Sequence, residues 1–302
     1  MTATATAATA APTPAPARRR STVWRKFLHS TPGVIGAVVL LLMAVVAIAA
    51  PLIAPFDPLT RAGSALQGPN GQHWFGTDEL GRDLFSRVVY GARLSLETAA
   101  GAAAFACIVG LPLGVISGYL GGVVDAIVMR ITDFVLAVPG ILFALVVVAI
   151  LGSGVLNLTL AIGIGAIPAF IRLARASTLS LREREYVLAA RSMGASRSDV
   201  MFRTVTPNIM GPIIVQIIVT ASVAILVAAA LSFIGLGTPP PAPSWGGMLQ
   251  TSRSYLYQQI WYAVLPGVAL AITIAALDGV GRGMQTALGT RGPGRAKVGG
   301  MG

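Results

Sequence analysis

The chain has 302 residues, of which 55% are hydrophobic and only 11% charged, against about 25% charged in an ordinary soluble domain. That balance excludes a conventional water-exposed fold. The formal charge of +11 then reads as a membrane-topology signal rather than nucleic-acid affinity, because no basic patch is interleaved with aromatic residues.

The chain opens on "MTATATAATAAPTPAPA", a low-complexity Ala, Thr and Pro stretch that cannot bury a core. Residues 1–30 are expected as a disordered cytoplasmic tail. A first span follows within 31–56. Asp, Glu, Lys and Arg are absent from 27–56, 98–124, 134–171, 204–252 and 254–277. A helical span needs roughly 20 apolar residues. Gly152-Ser153-Gly154 divides the third run into two spans, and Pro239-Pro240-Pro241 ends the helical part of the fourth. The pattern predicts an all-α, multi-pass membrane protein with six transmembrane helices, near 33–54, 95–119, 134–152, 155–172, 209–234 and 259–281. Of the 22 Lys and Arg, 17 fall before span one, between spans two and three, between spans four and five, or from the end of span six onward. The positive-inside rule places both termini in the cytoplasm.

Residues 57–93 form an extracytoplasmic segment. Turn-rich "FDPL" and "GPNGQ" precede "FGTDELGRDLFSRVVYGARLSL". Thr77 is expected to cap an amphipathic helix, with Asp78 and Glu79 in its first turn. Leu80, Leu84 and Val88 supply its apolar face, Asp83 and Arg87 an i,i+4 pair, and Gly91 its end. Pattern alone leaves open an interfacial anchor or a docking face.

Residues 94–288 are expected to form a core with the other five spans. Asp125, Arg130 and Asp133 are expected on a helix entering span three, kinked by Pro139-Gly140. Arg130 with Asp133, and Asp278 with Arg282, read as structural ion pairs. In span five, Thr220, Ser222 and Ser232 are candidate pathway residues, although polar groups in spans often bond to neighbouring helices. The outer stretch "LSFIGLGTPPPAPSWGGML" (231–249) predicts a shaped non-helical excursion, with Trp245 and Trp261 at the interface. Residues 289–302 are expected to be a flexible cytoplasmic tail.

The loop 173–206 stands apart. Residues 172–203 hold ten charges. At mid-bilayer they would cost on the order of 25–35 kcal/mol, so the segment lies in water or against protein. It is nevertheless patterned. Glu185 to Met193 is helix-forming, with Tyr186, Ala189, Ala190 and Met193 on one face. Gly194 is placed as its cap. Ser196 and Asp199 begin a second short helix, and Pro207 can open span five.

No catalytic, cofactor or metal site is expected. The two histidines, His29 and His73, lie outside the spans, Cys107 is alone, and the only lysines follow Arg25 and Ala296, so no Gly-Lys-Ser/Thr phosphate loop exists. A channel or secondary transporter remains an alternative, without a convincing internal repeat to favour it.

Leu188-Ala189-Ala190, Gly194 and Val205-Thr206-Pro207 resemble the cytoplasmic loop of ABC-importer permeases, whose pattern is Glu-Ala-Ala, three residues, Gly, about nine residues, Ile-x-Leu-Pro. Leu188 stands at the acidic position, with Glu185 one turn earlier. "HWFGTDELGRDLFSRVVYGARLSL" (73–96), 231–249 and "REYVLAARSMGAS" (184–196) are similar to the second permease subunit of dipeptide, oligopeptide and nickel importers. The resemblance implies a type I ABC importer permease fold. It further implies a heterodimer with a homologous permease, two cytoplasmic ATPase subunits that bind ATP and Mg, and an extracytoplasmic substrate-binding protein. The loop residues Glu185, Tyr186, Ala189, Ala190, Met193, Gly194 and Pro207 would serve ATPase coupling. Gly76, Thr77, Asp78, Gly81, Arg82 and Asp83 would form the extracytoplasmic motif. Dipeptides or oligopeptides are the implied substrates, with nickel or glutathione as the alternative.

Overall fold

The structure is a computed structural model and describes residues 21–289. Residues 1–20 and 290–302, most of the two expected tails, lie outside the described residues.

The expected tail ends sooner than residue 30, because Ser21–Leu28 is helical (α1). Phe27 anchors it, buried against Gly33 and Gly283. Thr31–Ile48 (α2) then starts on Ser30, whose side chain accepts from the Gly33 amide, and carries Pro32 in its first turn. A short helix, Ala50–Ile53 (α3), leads into the segment before Leu84.

Leu84–Leu120 (α4) is one helix of 37 residues. It starts at Asp83, which accepts from the Ser86 amide, and not at Thr77. Nor does Gly91 end it. Gly91 is buried inside α4 because Trp245 packs on it, where a Cβ would lie 2.8 Å from the indole Cδ1. The Trp245 Nε1–H donates to the Val88 carbonyl at 2.9 Å. Trp245 is therefore a core residue, not an interfacial one. Its own segment, Trp245–Ser252 (α11), is helical and capped by Ser244, so the outer excursion is only partly irregular.

Gly122–Leu136 (α5) and Gly140–Leu151 (α6) meet at an angle of 89°. The expected kink is a break, since Pro139 takes an extended ψ and has no amide to continue the helix. Val155–Leu181 (α7) carries the chain beyond the apolar run. Glu185–Ser192 (α8), Arg197–Asp199 (α9), a π-helical turn at Val200–Val205, and Thr206–Phe233 (α10) follow. Trp261–Leu288 (α12) closes the bundle. Among the described residues, five helical stretches are long and apolar enough to cross a membrane: α2, α4, α7, 197–233 and α12. The bent α5–α6 pair makes a sixth if counted as one span. Among the described residues there is no strand, only an isolated bridge between Thr77 and Asp83.

Small residues allow close helix approach. Gly110, Gly114 and Gly118 recur every four residues along α4 and face α7. A Cβ on Gly114 would sit 2.5 Å from the Ile171 carbonyl oxygen, and one on Gly118 2.8 Å from that of Arg175. Larger side chains would force the two backbones apart, which is how small residues promote helix association in lipid.

Candidate functional site

The motif expected on the extracytoplasmic side is a buried knot of charge. Asp78 is fully buried, and Arg82, Asp83 and Arg87 are nearly so. Buried charges persist only when paired and hydrogen-bonded, and the partners are present. Asp78 Oδ1 accepts from the amides of Leu80 and Arg82 at 2.9 Å. Its Oδ2 accepts from Arg82 Nε at 2.6 Å and lies 3.3 Å from Arg87 Nε, an ion pair without hydrogen-bond alignment. Arg82 Nη2 donates to Glu79 Oε1 at 3.0 Å, and the Tyr262 hydroxyl to Glu79 Oε2 at 2.7 Å.

Asp83 pairs with His73 Nδ1 at 3.0 Å and accepts from the Ser86 amide and hydroxyl at 2.8 and 2.7 Å. The expected Asp83–Arg87 pair does not form. Asp83 is occupied in capping α4, and Arg87 Nη1 reaches the Pro58 carbonyl at 2.8 Å instead. Gly76 and Gly81 turn the loop with φ of +80° and +76°, a region that costs other residues strain. At Gly76 a Cβ would collide with the Gln67 carbonyl and the Gln259 amide. Thr77 accepts from the Gln67 amide at 2.9 Å and donates to the Ser64 carbonyl. The motif residues are thus brought together with His73, Glu79, Arg87, Gln259 and Tyr262. The dense run of opposite charges from Asp78 to Arg87 hinted at Glu79 and Arg87, but not at His73. Nothing local pointed to Gln259 or Tyr262. With its carboxylates held by neighbouring donors, the knot is suited to fixing a surface rather than to reactive chemistry.

At the other end, α8 projects a small apolar surface. Val187 is fully buried, in a cluster with Val200, Met201 and Val205. Ala190 is half-buried and packs against the same cluster. The predicted four-residue face therefore splits: Ala190 turns inward, while Tyr186, Ala189 and Met193 remain exposed beside Glu185 and Leu188. Met193 is 82% exposed. The Gly194 amide donates to the Arg191 carbonyl at 3.0 Å and the Ala195 amide to the Ala190 carbonyl at 3.1 Å. With φ of +85° at Gly194, this is a Schellman ending. Ser196 Oγ accepts from the Asp199 amide at 3.1 Å to start α9, and Pro207 sits in the first turn of α10.

Ion pairs tie this end to the spans. Arg175 of α7 grips Asp125 of α5 through Nε and Nη2, the Nη2 contact being 2.6 Å. Asp133 pairs with Arg172 of α7 at 2.7 Å, not with Arg130, so the second contact also crosses between helices. Arg191 lies over the Tyr119 ring, 5.7 Å from its centroid. Asp278 and Arg282 form the expected pair within α12.

Thr220, Ser222 and Ser232 are not brought together. Thr220 borders a groove with Ala144 and Ile162, Ser222 one with Asp278 and Arg282, and Ser232 a small cavity with Ser244 and Trp245. Helical geometry requires the first separation, since positions two apart differ by about 200° around the axis. Thr220 Oγ1 also accepts from Gln216 at 3.3 Å.

Comparison with known proteins gives consistent results. Residues 110–291 match the family described as binding-protein-dependent transport system inner membrane component. Residues 20–69 match the N-terminal transmembrane domain of oligopeptide transport permease C. The dipeptide transport system permease protein DppC of Alkalihalophilus pseudofirmus is 41% identical over 84% of this chain and 84% of its own. The di/tripeptide permease DppC of Pseudomonas aeruginosa is 40% identical over 88% and 90%. The glutathione permease GsiD of Pectobacterium atrosepticum is 39% identical over 88% and 89%. In fold, a chain of the MetNI methionine ABC transporter, solved in inward-facing conformations, aligns at a TM-score of 0.52. It is 18% identical and covers 66% of this chain and 96% of its own.

Proposed function

Because the chain belongs to the family of binding-protein-dependent transport system inner membrane components, we propose that it is one permease subunit of an ATP-driven importer of dipeptides or oligopeptides. A homologous permease supplies the other half of the pathway. Two ATPase subunits bind ATP and Mg on the cytoplasmic side, where both termini lie. A substrate-binding protein docks on the opposite face, above the buried charge knot. One observation carries the coupling role. The helix Glu185–Ser192 leaves Tyr186, Leu188 and Met193 exposed at a charged, water-facing end of the bundle, where lipid cannot cover them and a protein cleft can.

Glutathione is the second reading, favoured by the glutathione permeases among the relatives. Uptake of labelled dipeptide and labelled glutathione, in a strain lacking and then regaining this chain, separates the two. Chain-dependent dipeptide uptake that stops on ATP depletion is the expected result. Uptake that continues without ATP contradicts the importer assignment.

A further inference from the structure

A cleft at the N-terminal end of the bundle has no part in the transport reading. Its volume is about 450 Å³, and it is lined by Arg25, Lys26, His29, Ser30 and Thr286. Among the described residues, no carboxylate lines it. Among the described residues, neither Arg25 nor Lys26 forms an ion pair. The His29 Nδ1–H donates to the Arg25 carbonyl at 2.7 Å, which fixes the ring beside the cations. Ser30 Oγ accepts from the Gly33 amide and so keeps its hydroxyl proton free to donate.

An exposed apolar pair immediately precedes two of the cleft residues, Arg25 and His29, in the chain. Trp24 and Leu28, four residues apart on α1, are 64% and 54% exposed, while Phe27 holds the helix against the bundle. Beyond lies α2, 18 residues without a charge. A short helix with uncovered Trp and Leu beside unpaired cations, at the foot of an apolar span, has the composition of a segment lying at headgroup level.

We propose that this cleft binds the phosphate headgroup of an anionic phospholipid, with Arg25 and Lys26 as counter-ions and Ser30 as a neutral donor. The lipid's glycerol region then packs past Trp24 and Leu28. A soluble phosphate would satisfy the cations but would leave that apolar pair in water. The assignment goes beyond the import reading and is independent of substrate and of orientation.

The test uses the full-length chain with its co-purified partners in neutral detergent. Thermal midpoints are followed during titration with short-chain phosphatidylglycerol, phosphatidylcholine or inorganic phosphate, and retained lipid is counted by native mass spectrometry. Phosphatidylglycerol should raise the midpoint saturably, whereas phosphatidylcholine and inorganic phosphate should not. Thr286→Glu, at an exposed position on the far wall, leaves every cation and topology signal in place. It should weaken the phosphatidylglycerol response by at least roughly tenfold, through like-charge repulsion. Arg25→Gln with Lys26→Gln should do the same. An equal response to phosphatidylcholine, a full response to inorganic phosphate, or an unchanged response in Thr286→Glu would overturn the proposal. Nanodiscs with one composition in both leaflets give the same comparison whichever way the chain inserts, so a failure here is distinct from a failure of ATP-driven uptake.

Discussion

At the scale of single residues, Asp78 is the most consequential side chain of the buried charge knot. It neutralises Arg82 and Arg87 at once and accepts two backbone amides. Removing one partner of a buried ion pair typically costs about 3–5 kcal/mol, because the remaining charge stays buried and unpaired. Asp78→Ala should therefore lower stability by about that amount and expose 57–83 to protease, while Asp78→Asn, which still accepts the amides, should lose less. Limited proteolysis and denaturant unfolding in detergent read both effects. The sequence displayed the charges but not their pairing. Asp83 four residues before Arg87 looked like a helical pair, yet Asp83 is the cap and the helix begins after it. Gly91 misled for a related reason. Its lack of a side chain serves Trp245, which lies 154 positions away, and a contact of that range leaves no local signal.

Among the elements, α8 was the most legible. Its charges exclude the bilayer, its residues favour helix, and its end was visible in Gly194, because chain direction and turn chemistry are local properties. Which alanine faced outward was less legible, since both fit a broad stripe and only the burial of Val187 decides between them. No side chain lies near the Cβ position of Gly194, so a large residue there disturbs little inside the chain. Gly194→Trp should strain the αL position by about 1 kcal/mol, leave insertion intact and abolish coupled uptake. A Cys at Ala189 should cross-link to the ATPase in the parent and fail to do so alongside Gly194→Trp. Retained uptake would remove the docking role of α8. The α5–α6 pair was the least legible element. Pro139 announced a disturbance, but neither the angle of 89° nor the pairing of Asp125 and Asp133 with Arg175 and Arg172 of α7 has a local signal, because both arise between distant parts of the chain.

For the molecule as a whole, the apolar surface is incompletely used within one chain. On α5, Val123, Ile127, Ile131 and Phe134 form an exposed stripe, and α10 exposes Val223 and Leu226. A heterodimer would cover part of this surface and lipid the rest. Co-expression with the homologous permease should therefore give a monodisperse complex in mild detergent, whereas this chain alone should elute as mixed aggregates by size-exclusion chromatography. A stable, monodisperse single chain that transports by itself would contradict the two-permease arrangement.

The glycine row of α4 has a mechanical consequence. Where two backbones touch over three successive turns, sliding one past the other drives Cα atoms into carbonyl oxygens, so α4 and α7 must move as one lever. At about 1.5 Å per residue, the 27 residues of α7 give an arm of roughly 40 Å, and a tilt of about 10° displaces its far end by roughly 7 Å. A modest push on α8, at the foot of that arm, would then be amplified along it, and the ion pairs from Arg172 and Arg175 would carry α5 with α7.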